Sequence, residues 1–203
     1  MSARKLEKHL ARQLEQHVLV DSVEREQKYR VSKIEPLRRR LLNLGAEPHA
    51  NGFERNELFD FEGRLEKRGH KLRLRRHGNK SSALTLKGPR MKGRHKVRME
   101  IETPVNYEAM KRILELIGFR IKETYSKIRE EYRLIGCAVC LDHLPGAGWF
   151  IEIEGPPAKI RYIAKRLGLQ SVDREDRSYR KLIREAAGIN PLSANGSGEL
   201  VLA

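Results

Sequence analysis

The stretch VEREQKYRV, from Val23 to Val31, places Glu24, Glu26 and Lys28 at every second position. Strand side chains alternate faces with a period of two, so on a strand these three project to one side. A solvated strand edge would show the same letters. Two carboxylates and an ammonium on one face also make a site for a divalent metal beside an anion. The alternation recurs downstream with both signs of charge. HKLRLRRHG sets Arg73 and Arg75 against Leu72 and Leu74, and SALTLKGP sets Thr85 and Lys87 against Leu84 and Leu86. HKVRMEIETP puts Arg98, Glu100 and Glu102 opposite Val97, Met99 and Ile101, and YSKIREEYRL puts Lys127, Arg129 and Glu131 opposite Ile128. In AVCLDHL, Asp142 shares its face with Cys140; in GWFIEIEGP, Glu152 and Glu154 oppose Ile151 and Ile153. Each segment has one ionic and one apolar face.

Helical patterns interrupt these strands without alternating with them one for one. KIEPLRRRLLNLGAE carries Leu37, Leu41, Leu42 and Leu44 and stops at Gly45. NYEAMKRILELIGF has Asn106 as its cap and Gly118 as its stop. PAKIRYIAKRLGL and SYRKLIREAAG follow the last strands. Strands that outnumber helices argue against a doubly wound parallel sheet and for an antiparallel α+β fold. The amphipathic helices would cover the apolar faces. If the sheet closes into a barrel, the ionic faces point at one another, which is costly unless the charges pair or bind an ionic ligand.

A chain of 203 residues suits one domain with a real core. Residues 1–20 read as a helical extension, with Leu6, Leu10, Leu14 and Val18 four apart; this stripe fits either the domain or a second copy of the chain, so a homodimer stays open. Residues 21–188 form the domain, and residues 189–203, with Pro191 and SANGSGE, read as a flexible tail. The net charge of +15 favours an anionic partner, and nucleic acid, membrane surface and polyphosphorylated small molecules all satisfy charge alone. No apolar run approaches the roughly 20 residues of a membrane span and no signal-peptide core is present, which makes the cytoplasm the expected compartment. Cys137 and Cys140 form a single C-x-x-C; on a strand, positions three apart diverge, so neither zinc nor redox chemistry is expected of them. With no G-x-G-x-x-G and no Walker A loop, phosphate would have to be held by side chains.

The cations Lys28, Arg73, Arg75, Lys87, Arg98, Lys127 and Arg129 could hold a chain of phosphates. The acids Glu24, Glu26, Glu100, Glu102, Asp142, Glu152 and Glu154 would repel it unless cations intervene, and carboxylates with phosphate oxygens are the ligand set of Mg²⁺ or Mn²⁺. A metal–polyphosphate complex reconciles the two. In order along the chain, E-x-E-x-K (Glu24, Glu26, Lys28), LRLR (Leu72 to Arg75), LTLKGP (Leu84 to Pro89), E-x-E (Glu100, Glu102), K-x-R (Lys127, Arg129), CLDHLPGAGWFIEIEGP and S-Y (Ser178, Tyr179) resemble the CYTH domain, the triphosphate tunnel metalloenzymes. The resemblance runs from about Val23 to Ile183. It implies a closed eight-stranded antiparallel barrel forming a tunnel, with Mg²⁺ or Mn²⁺ held by acids and a small-molecule triphosphate held by bases. The family includes class IV adenylyl cyclases, thiamine triphosphatases and inorganic triphosphatases, and the spacing of NELFDF, LRLRR and LTLKGP is closest to the cyclase-like branch.

On that resemblance Glu24, Glu26 and Glu154 are the first metal ligands, followed by Glu152, Glu102 and Asp142. Arg73, Arg75, Lys87, Arg98, Lys127 and Arg129 grip phosphates. Lys28 orients or deprotonates the nucleophile; its other reading is a structural ion pair with Glu26. No segment forms a defined adenine pocket, so hydrolysis of a triphosphate is expected ahead of ATP cyclisation. A reading of another class is a non-catalytic binder of polyphosphate or RNA 5′ ends, favoured by the basic loop from Gly88 to Arg98. Nucleic acid and membrane are not the expected partners.

Overall fold

The computed structural model describes residues 20–78, 81–91, 96–188 and 200–202. Among the described residues, nine strands carry the fold: β1 (Val20–Val31), β2 (Glu47–Asp60), β3 (Lys71–His77), β4 (Ser81–Lys87), β5 (Lys96–Pro104), β6 (Arg120–Leu134), β7 (Cys137–Leu144), β8 (Gly148–Glu154) and β9 (Leu200–Leu202). The first eight run in the order β2-β3-β4-β5-β1-β8-β7-β6, and β6 pairs back onto β2, so the sheet closes. Every pairing in this ring is antiparallel, whereas β9 adds to β6 in parallel. The fold is therefore the expected α+β barrel. Of the expected N-terminal helix and C-terminal tail, residues 1–19 and 189–199 lie outside the described residues.

Among the described residues, five α-helices flank the barrel: α1 (Ile34–Asn43), α2 (Arg64–Lys67), α3 (Tyr107–Leu116), α4 (Pro157–Leu167) and α5 (Tyr179–Ala186). Their ends follow local chemistry. The Asn106 side chain accepts from the Ala109 amide at 2.9 Å, and the Ser178 hydroxyl accepts from Lys181 at 3.3 Å, satisfying orphan donors of the first turns of α3 and α5. Gly118, at φ +96°, lets the chain leave α3 beneath the Phe61 ring, where an added Cβ would come within 2.9 Å of the ring.

The apolar strand faces point outward under helices. Leu37 and Leu41 of α1 and Ile160, Ile163 and Leu167 of α4 pack against Tyr29, Val139, Leu141, Ile151 and Ile153. Each such side chain removed from water contributes ~1.5–3 kcal/mol. Leu114 of α3 packs on Phe59 and Leu74 over β2 and β3. The third cluster differs: Tyr179, Leu182 and Ile183 of α5 meet Tyr125, Leu144 and Phe150, with Leu58 at the edge. Those four strand residues share the inward parity of Lys127, Asp142, Glu152 and Asn56, so α5 covers one end of the barrel interior.

Candidate active site

The interior holds a cavity of about 930 Å³. Of the expected site residues Glu24, Glu26, Lys28, Arg73, Arg75, Lys87, Arg98, Glu102, Lys127, Arg129, Glu152 and Glu154 all line it, together with Glu100. Register brings them together. On β1, Glu24 faces Arg98 of β5, Glu26 faces Glu154 of β8, and Lys28 faces Glu152. Lys87 of β4 is opposite Glu100, and Arg129 of β6 is opposite Asp142 of β7.

The cations divide into two groups. Arg129 donates to both oxygens of Asp142 at 2.7 and 2.6 Å and to Glu152 at 2.7 Å; this bidentate fork fixes its plane. Lys127 lies 3.3 Å from Asp142, Arg75 donates to Glu102 at 2.8 Å, and Arg73 donates to Thr85 at 3.3 Å. The Nε atoms of Arg73 and Arg75 are buried without a partner, so both retain a donor. On the neighbouring β4, Lys87 is shared between Glu24 at 2.7 Å and Glu100 at 2.8 Å, and Arg73 lies 3.8 Å from the same Glu100.

Lys28 is buried, with its ammonium 3.9 Å from the centroid of the Tyr179 ring and 3.7 Å from Glu152. The same ring sits 4.8 Å from the Lys127 ammonium, and its hydroxyl donates to Asp142 at 2.5 Å. Tyr179, on α5, thus ties the helix that covers the barrel end to two lysines and to the acid that holds Arg129. Asp142, expected among the metal ligands, does not line the cavity; it is fully buried and engaged by Arg129, Lys127 and Tyr179.

The acids respond to their surroundings in opposite ways. Burial raises the Glu24 carboxyl, with Lys87 opposing and Glu100 adding to the rise. Burial, then the charges of Glu24 and Glu100, push Glu154 up to about 7. Burial would raise Glu102 as well, but Arg75 and the Thr85 hydroxyl hold it below the ordinary carboxylate range. Glu24, Glu26, Glu100 and Glu154 form the acidic side, a set of carboxylate oxygen donors in which burial raises Glu24 and Glu154. That donor chemistry fits a hard divalent cation. The set is not preassembled: among the described residues no three acidic, histidine or cysteine side chains converge on a common point.

Glu54 and Asn56 of β2, fully buried among the cations, were not expected at the site. ERNELFDF reads as a strand, but its inward Glu54, Asn56 and Leu58 mix charge, amide and aliphatic, while outward Glu57 and Phe59 are also buried. The ionic–apolar contrast that marks the other strands is absent there. Cys137 and Cys140 are free, buried thiols on opposite faces, Cys137 in the core under α4 and Cys140 on the cavity wall. Burial pushes the Cys140 thiol up to about 12, which leaves it unreactive.

The CYTH domain model matches residues 22–179. The chain belongs to the CYTH family. Over 72 residues it is 35% identical to "Putative adenylate cyclase MJ0240" of Methanocaldococcus jannaschii, a match covering 35% of this chain and 41% of that protein. Among solved structures, the CYTH barrel here is similar to PH1012 from Pyrococcus horikoshii OT3, with 27% identity, a TM-score of 0.67, and coverage of 78% of this chain and 98% of that one. A "putative adenylate cyclase" from Vibrio parahaemolyticus gives 25% identity and a TM-score of 0.69, covering 80% of this chain and 98% of that one. The "putative adenylyl cyclase HpAC1" from Hippeastrum, reported with a dominant triphosphatase activity, shares the fold at 20% identity and a TM-score of 0.60, covering 83% and 98%.

Proposed function

We propose that this CYTH protein is a divalent-metal-dependent enzyme that hydrolyses the terminal phosphoanhydride of a small-molecule triphosphate inside its barrel. One observation carries the reading. A single cavity sets guanidinium groups, two of them with an unpartnered Nε, beside a carboxylate cluster in which burial raises Glu24 and Glu154. The first side suits phosphate oxygens, and the second suits Mg²⁺ or Mn²⁺.

In this reading Arg73, Arg75, Lys127 and Arg129 hold the phosphate chain, and Arg98, opposite Glu24 on the β1–β5 pairing, reaches it from the acidic side. Asp142 and Tyr179 set the planes and positions of Arg129 and Lys127, so we assign Asp142 to holding cations. Glu24, Glu26 and Glu154 would hold the metal, with Glu102 and Glu152 behind them. When bound, the metal supplies charge neutralisation on the transferring phosphoryl group and a fixed geometry for the attacking oxygen. Lys87, now shared by Glu24 and Glu100, is the cation placed to pass from carboxylate to phosphate. Lys28, fixed by Tyr179 and by its cross-strand partner Glu152, orients the attacking water.

Cyclisation of ATP to cyclic AMP and pyrophosphate is the second reading, favoured by the names of the Methanocaldococcus and Vibrio relatives. ³¹P NMR of the protein with Mg²⁺ or Mn²⁺, and separately ATP, tripolyphosphate and thiamine triphosphate, distinguishes the two. Orthophosphate release from any of the three supports hydrolysis, and pyrophosphate with cyclic AMP from ATP replaces it with cyclisation. No turnover with any of them moves the assignment to a polyphosphate or RNA 5′-end binding module.

A further inference from the structure

Glu54 is a fully buried carboxylate behind the phosphate-facing wall, absent from the cavity lining yet surrounded by cations. Its oxygens lie 3.6 Å from Lys127, 3.8 Å from Arg75 and 4.0 Å from Arg129, with His77 at 3.7 Å. Asn56 donates to one oxygen at 2.9 Å, and the other accepts no hydrogen bond. Each cation also has a carboxylate partner of its own: Arg75 has Glu102, Lys127 has Asp142, and Arg129 has Asp142 and Glu152. Their positions therefore do not depend on Glu54. What Glu54 adds is a negative charge at near-contact range in a poorly screened interior. Burial would favour its neutral form, but Lys127, Arg75, Arg129 and Arg73 hold its carboxyl well below the ordinary range, so the charge is present at neutral pH.

We propose that Glu54 is a built-in counter-charge that limits how tightly the lumen holds phosphate, and so lets product leave. The inference rests on the polyphosphate reading above. A site with several cations and no such acid binds substrate and product alike more tightly, and uniform binding of that kind slows turnover once release is limiting.

Calorimetric titration with pyrophosphate, with and without MgCl₂, tests this on the unmodified protein and on Glu54→Gln, which is isosteric and keeps the Asn56 contact. Binding to Glu54→Gln is expected to tighten about tenfold in both conditions, with a lower KM for the triphosphate substrate. Glu54→Asp, which keeps the charge, should stay within about twofold of the unmodified protein, on the same scale. Unchanged or weaker pyrophosphate binding by a folded Glu54→Gln overturns the proposal. Should that variant fail to fold, Asn56→Asp decides: a second carboxylate beside the same cations must weaken binding, and equal or tighter binding overturns the idea. No binding by the unmodified protein in either condition removes the polyphosphate reading itself, a result distinct from failure of the Glu54 inference.

Discussion

At the scale of single residues, the two sides of the lumen can be separated by substitution. Glu24 is buried and paired with Lys87, but Lys87 keeps Glu100 at 2.8 Å when the Glu24 charge is removed. Glu24→Gln should therefore fold normally and lose metal-dependent turnover by about 100-fold or more, the size seen when one electrostatic contact to a transition state is deleted. Steady-state rates with Mn²⁺, read beside a thermal melt, check this; full activity in a folded Glu24→Gln or Glu26→Gln sinks the site assignment. Glu154 makes a pH-dependent prediction. Burial and the neighbouring carboxylates push its carboxyl up to about 7 in the folded protein, against 4.5 for an ordinary glutamate, so between those values the folded state keeps a proton that the unfolded chain has released. Stability of the metal-free protein should fall as pH rises through that window. His77, which burial pushes down, acts with the opposite sign, so the comparison is made against Glu154→Gln. Thermal melts from about pH 5 to about pH 8 should show a decline in the unmodified protein that flattens in Glu154→Gln, and Mn²⁺ should stabilise more at the higher pH because it needs the carboxylate. Equal slopes in the two proteins would remove Glu154 as the titrating group.

Among the elements, α3 isolates a purely local term. Asn106 sits half outside the helix at its N-cap, and its side chain satisfies the Ala109 amide. Asn106→Ala should cost about 1 kcal/mol in urea denaturation, with kinetics unchanged; a loss of activity at equal stability would mean α3 does more than cover β2, β3 and β4. That cap was readable from sequence, as were the stops at Gly45 and Gly118, because they depend only on neighbours along the chain. The strands with one ionic and one apolar face were readable for the same reason. Of β2 only the second half, within ERNELFDF, was readable: its first half, Glu47–Gly52, pairs with β6 alone and is largely exposed, so it carries no alternation, and Pro48 and Gly52 disfavour a strand. β6 likewise starts at Arg120, before the alternating stretch from Tyr125, because its first residues, RIKET, follow Phe119 without a clean ionic–apolar alternation. α2, four residues long with no buried side chain, left no periodic signal. In the site itself, cation and acid identities followed from period two. The burial of Asp142 behind Arg129, and the presence of Glu54, depend on how strands meet across the barrel, which no local pattern encodes.

For the whole molecule, the net charge of +15 and the lumen have to be considered together. Inside, nearly every cation named at the site has a carboxylate within 4 Å, so the lumen is close to balanced before ligand enters. The excess positive charge lies elsewhere on the chain, where it can draw in a polyanion but cannot discriminate among polyanions. Salt should then act on encounter and leave the chemistry alone. Screening over a Debye length of about 10 Å at 0.1 M weakens exposed charges and spares buried ones. Raising ionic strength from about 0.05 to about 0.5 M should lower kcat/KM for a triphosphate roughly tenfold through KM, with kcat moving less than about twofold. A fall in kcat of the same size would mean that salt reaches the lumen contacts and that the barrel is more open than its paired charges imply. The contrast with an RNA binder is direct: electrostatic RNA binding would show a steep salt slope in affinity with no requirement for Mg²⁺. A titration that leaves RNA affinity indifferent to Mg²⁺ while triphosphate turnover vanishes without it would assign the outer charge and the inner site to separate tasks, steering on the surface and phosphate chemistry within.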